Sequence, residues 1–171
     1  MVVGIGLRSG GTPLTGPDDA QMTMDQALAA IGTLLSGDRA AGRAQLLALW
    51  ERAPGDALRC VLAHYIADTE DDAAAELRWD REALRAADAA MQHGDQALMP
   101  GLTVSAFYPS LYLNVADASL RNGELAPARD YFEAGMRSLS ALPDTPYSAT
   151  VRDGMARLGR RIADAEAAPR G

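Results

Sequence analysis

The stretch from Tyr108 to Leu142, YPSLYLNVADASLRNGELAPARDYFEAGMRSLSAL, restricts the fold more than any other part of the chain. Its apolar residues recur at helical spacing on both sides of Asn122-Gly123. Leu111, Tyr112, Val115, Ala116 and Leu120 line one side, and Ala128, Phe132, Met136 and Leu139 the other. Two amphipathic helices hinged at a glycine cannot bury their stripes alone. The chain must therefore supply further helices of the same kind.

Within that hairpin, Tyr112, Ala116, Gly123, Ala128 and Phe132 follow the order of a known pattern. An aromatic and a small residue come first, then a turn glycine, an alanine facing the small residue, and a second aromatic. The hairpin thereby resembles a tetratricopeptide repeat, a helix-turn-helix unit of about 34 residues. It departs from the pattern at Ser119 (an aromatic in the family), Gly135 (alanine) and Ser140 (proline, which here comes at Pro143). The resemblance implies an all-α fold, a superhelix of about three TPR-like hairpins closed by a C-terminal capping helix. It also implies a protein or peptide partner, held in a groove lined by the first helix of each hairpin.

Alanine and leucine dominate, and β-branched and aromatic residues are few, which favours helix over sheet. At 171 residues the chain is expected to form one domain over 22–167, after a flexible leader at 1–21 and before a frayed tail at 168–171. The leader lacks the basic start of a signal peptide, and no apolar run is long enough to span a membrane. A cytoplasmic location is expected. The net charge of -7 disfavours nucleic acid and anionic membranes as partners. With Cys60 the lone cysteine, no internal disulfide or cysteine-rich zinc site can form.

Taken in order, a first helix is expected from Thr23, where Thr23 and Gln26 have capping-box spacing. It carries Leu28, Ile31, Leu34 and Leu35 and ends at Gly37. Asp38 caps a second helix bearing Leu46, Leu47, Leu49 and Trp50, and Pro54-Gly55 stops it. Asp56 is expected to cap the third, with Leu58, Val61, Leu62, Tyr65 and Ile66. A turn at Thr69 to Asp72 leads to a fourth helix running to about Gln92. The segment ALMPGLTV reads as a loop, and the third hairpin begins near Pro109, which either opens its helix or kinks it. Thr145 and Pro146 start a seventh helix whose stripe is Val151, Met155, Leu158 and Ile162, with Arg157 and Arg161 among the residues solvating its other side.

Two constellations could carry function. In the second hairpin the repeat alignment puts His64 where the family has a small residue and Glu76 opposite it, with Asp68 and Asp80 one turn further along each helix. The polar cluster His64, Asp68, Glu76 and Asp80 could hold a divalent metal or tune an acid–base pair. It could equally be a buried polar pair that fixes helix packing. The second constellation is the groove that the resemblance implies: Tyr65, Asp68, Thr69, Ser110, Leu113, Asp117 and Arg121, with Asn114 beside them. These side chains could hold an extended segment, or simply form a solvated face.

Trp50 and Trp79 read as packing aromatics, Glu70 to Asp72 as a solvated turn and cap, and Cys60 as a core residue. There is no Gly-rich phosphate loop ending in lysine, no HExxH and no GxSxG. The sequence thus points to an interaction module without cofactor or catalytic residues. The rival is a small metal- or acid/base-dependent enzyme, or a ligand-binding protein, centred on His64, Asp68, Glu76 and Asp80. Homo-oligomers could form through apolar edges at Met22, Met24 and Leu28.

Overall fold

The structure, a computed structural model, describes residues 17–168, with side chains from Met24 onward. Most of the expected leader (1–16) and the end of the tail (169–171) lie outside the described residues. Within them the fold is all-α: α1 (Pro17–Leu35), α2 (Arg39–Trp50), α3 (Asp56–Ala67), α4 (Ala73–Gln92), α5 (Val104–Arg121), α6 (Leu125–Ser138) and α7 (Pro146–Ala167). A short antiparallel pair, β1 (Ala97–Met99) and β2 (Leu102–Thr103), joins α4 to α5.

The helices begin and end where local chemistry allows. Gly37 and Gly123 sit at the turns between α1 and α2 and between α5 and α6, with φ of 103° and 77°. Only glycine enters that region at little cost. Asp38, Asp72, Thr103 and Thr145 cap the helices that follow them, each accepting from a backbone N–H of the first turn. The Asp72→Ala variant is expected to lose about 1 kcal/mol in chemical denaturation, because the Ala75 N–H would lose its partner. An unchanged midpoint would show that water replaces the cap at no cost.

Contacts between helix ends make each pair a hairpin. Arg52, just past α2, donates to Gln26 at the middle of α1 at 2.9 Å. His93 Nδ1, just past α4, lies 2.9 Å from an Asp56 carboxylate oxygen at the start of α3. Gly135, late in α6, lies against Tyr112 of α5, and α7 closes the row by packing on α5 and α6. Trp50 and Trp79 meet edge to face at 5.2 Å between α2 and α4, as packing aromatics do.

One apolar core runs from Ala27 of α1 to Ala118 of α5, with Leu46, Leu62, Ile66, Phe107, Leu111 and Val115 inside it. Burying a side chain of that size stabilises by about 1.5–3 kcal/mol. A smaller cluster of Ala116, Leu158 and Ile162, with Phe132 against it, fastens α7. The expected α7 stripe of Val151, Met155, Leu158 and Ile162 is buried.

Several expectations are corrected. The first helix opens at Pro17, not Thr23, so 17–21 belong to the helix and Thr23 lies within it. Proline followed by two acidic residues suits a helix start better than the capping-box spacing does. Asp56 is the first residue of α3 and Gly55 its cap, which frees the Asp56 carboxylate for His93. The expected loop at 97–104 is the β-hairpin, turned at Pro100-Gly101 with Gly101 at φ 78°. Thr103 then caps α5, so of the two readings of Pro109 the one that puts it within the helix holds. Met24 and Leu28 pack against the core instead of forming an open apolar edge, and the Met22 side chain lies outside the described residues. No described helix is long and apolar enough to cross a membrane.

Candidate functional site

The odd-numbered helices carry two neighbouring cavities. The first, about 470 Å³, is lined by Leu28 of α1, His64 and Tyr65 of α3, Phe107 of α5, the β-hairpin from Met99 to Leu102, and Pro143 to Tyr147 at the start of α7. Its wall is mostly apolar. The second, about 280 Å³, is polar: Asp68, Glu76, Leu113, Asn114, Asp117, Gly154, Arg157, Leu158 and Arg161 line it. Helical spacing explains the set. Leu113 and Asp117 on α5, and Gly154, Leu158 and Arg161 on α7, each follow one another by about one turn and so share a face. A Cβ at Gly154 would stand 2.6 Å from Leu113 Cδ2, so the end of the Leu113 side chain would have to shift.

His64 forms part of the partition between the two. It lines the apolar cavity, while its Nδ1 lies 3.5 Å from the Nδ2 of Asn114, which lines the polar one. That is the long limit of a hydrogen bond. The Phe107 and Tyr65 rings stand edge-on to the imidazole at 4.8 and 5.1 Å. Burial holds the His64 pKa down at about 4, so the ring is neutral at pH 7.

The expected pairing of His64 with Glu76 is not what forms. Glu76 instead accepts from Arg121 at 2.5 Å, and Arg121 also reaches Asp117 at 2.9 Å. The polar cluster is nonetheless brought together, with α7 adding Arg161, which also bonds Asp117. Arg157 and Arg161, expected to solvate the outer side of α7, line the polar cavity. Nothing local in the sequence marks them for that place.

Asp80 is the anomaly. It is 1% exposed, and neither carboxylate oxygen has a hydrogen-bond partner. The Asn114 amide lies near enough to stabilise its charge but outside hydrogen-bonding geometry. Burial first, then the charges of Glu76 and Asp68, push the Asp80 pKa up to about 8. Burial, with Glu76, likewise raises Asp68 to about 6 against the pull of Arg39.

Thr69 and Ser110 drop out of the expected groove. Thr69 is 4% exposed and donates its hydroxyl to the Ile66 carbonyl, while Ser110 is 7% exposed and packs beside Tyr147. Tyr65, Asp68, Leu113, Asn114 and Asp117 line the two cavities, and Arg121 ties Glu76 to Asp117. Leu28, Phe107 and Tyr147 also line the apolar cavity, although the sequence marked the first as helix stripe and apolar edge and the other two not at all.

Cys60 is fully buried and its thiol is pushed up to about 12, mainly by burial, so it is no nucleophile at pH 7. Among the described residues no three His, Cys, Asp or Glu side chains are arranged to hold a metal ion. A larger hollow of about 510 Å³ opens between Met24, the α2–α3 turn and β1, but Asp95 is its sole charged lining residue. The chain matches no protein-family model, no curated protein and no solved structure.

Proposed function

We propose that the chain is a non-enzymatic interaction module, a TPR-like stack of helical hairpins that holds an extended segment of another protein along the face of its odd-numbered helices. The observation that carries this reading is the adjacency of an apolar cavity and a charged one, separated at His64 and Asn114. An apolar side chain of the segment would fill the first cavity, and polar contacts at the second would fix its register. The rival acid–base reading has weaker support, because His64 is bonded to an amide and no carboxylate orients its ring.

Selection from a random peptide library displayed on phage tests the proposal. Enriched sequences should share a bulky aliphatic or aromatic residue, and their affinity should fall about tenfold in a folded Tyr65→Ala variant. The reading fails if nothing is enriched, or if enriched peptides bind the variant as tightly as the parent.

A further inference from the structure

We propose that the polar cavity between α3, α4, α5 and α7 is a subsite for one basic side chain, the ammonium of a lysine or the guanidinium of an arginine. For its partner this rests on the reading above, since the basic residue would belong to the segment that fills the apolar cavity. The cation site itself stands on observations of its own.

The first is the pairing of charges around the cavity. Arg121 holds Glu76 and Asp117, and Arg161 holds Asp117 as well. Arg39 acts on Asp68 only through space, its own contacts being to Asp71 and the carbonyls of Thr69 and Glu70. Two carboxylates, Asp68 and Asp80, are therefore touched by no arginine. Arg157 is exposed at the rim and free to leave the mouth open.

The second observation is Asp80 itself, a buried carboxylate with both oxygens unpartnered. The groups that act on it are Glu76 on its own helix, Asp68 just past α3, and Asn114 and Arg121 on α5. The first three line the polar cavity, and Asp80, itself outside the lining, follows Glu76 by one turn on the same face of α4. A buried carboxylate without a partner is costly to keep, and an arriving cation removes the cost. An anion would have to approach four carboxylates, and two of the three arginines there, Arg121 and Arg161, are already engaged. The chain's net charge of -7 also favours a basic partner. Shape agrees, because Gly154 leaves α7 without a side chain against Leu113 at this wall.

The test uses the full chain, labelled with nitrogen-15, and three small probes followed by proton–nitrogen correlation spectra. Nα-acetyl-lysine amide should saturably shift the Gly154 backbone amide and the Asn114 side-chain amide. Nα-acetyl-norleucine amide should shift Gly101 and Leu102 at the apolar cavity instead, and so reports on the earlier reading separately. Nα-acetyl-glutamate should leave both cavities unmoved. Asp80→Asn keeps the shape and should weaken lysine-amide binding about tenfold, with norleucine-amide binding unchanged. Binding of the lysine amide should also tighten from pH 6 to pH 8, as the cation displaces the proton from Asp80. Should the Asp80 variant not fold, Asp68→Asn is expected to show the same selective loss. The proposal is overturned if the lysine amide leaves Gly154 and Asn114 unshifted, if glutamate shifts them equally, or if the folded variant binds the lysine amide like the parent.

Discussion

At pH 8 the Asp80→Asn variant will unfold about 6–12 °C above the parent chain, a gain of about 3 kcal/mol. Free in an unfolded chain, the Asp80 carboxyl ionises near 3.8; in the fold it holds its proton to about 8. The folded state therefore binds more protons between those values, and stability falls as pH rises through that window. It is fully present below about pH 4 and lost as pH passes 8. One pKa unit corresponds to about 1.4 kcal/mol, so roughly 6 kcal/mol is the ceiling. Relaxation of the surroundings about the charge lowers the ceiling to the smaller figure.

Asp68 works in the same direction up to about pH 6. His64 works oppositely: its folded pKa of about 4 lies below its ordinary 6.5, so its contribution is present above pH 6.5 and lost as pH falls through 4. Above pH 6.5, then, Asp80 alone of these three carries a slope, and the variant should be flat where the parent declines. Thermal unfolding of both at pH 5.5, 7 and 8.5 measures it. Parallel curves would mean that the carboxylate is solvated or paired in solution.

The Gly42→Ala variant should lose about 2–3 kcal/mol. A Cβ at position 42 would stand 2.8 Å from the Cβ and backbone nitrogen of Leu34 and 2.9 Å from its Cα. Backbone atoms cannot rotate aside, so α1 and α2 would have to separate and the core between them would loosen. Gly32 is the control within the same hairpin. It is exposed, and nothing lies within 4 Å of the Cβ it lacks. Gly32→Ala should accordingly stabilise by about 0.5–1 kcal/mol through helix propensity alone. If both substitutions shift the denaturation midpoint the same way, the close approach of α1 to α2 is wrong.

Legibility in the sequence followed the range of the interaction. The turns at Gly37 and Gly123, the end of α4 at Gln92 and the opening of α7 at Pro146 are decided by a few neighbouring residues, and the sequence shows them. The stripe of α7 was equally plain, since period alone defines it. The β-hairpin was missed because Pro100-Gly101 reads as a loop unless Ala97 and Thr103 are known to face each other. The polar cluster was half visible: its members stand one helical turn apart, but which acid meets which base depends on how α5 and α7 pack against α3 and α4. That is why His64 was assigned Glu76 and found Asn114, and why the isolation of Asp80 could not be foreseen. The preferred partners of a buried charge are decided across the fold, at separations where sequence spacing carries no information.

The β-hairpin has a practical consequence. Its tip is a wall of the apolar cavity, and it enters the fold as an insertion between α4 and α5 that rests on α3 and α5. Exchanging Met99 or Leu102 for smaller or larger side chains would therefore reshape the space offered to a ligand, and would touch the helices only through the edge of the core on which both residues rest. Such a tongue lets selectivity diverge quickly, because evolution or an engineer can edit it without renegotiating the scaffold.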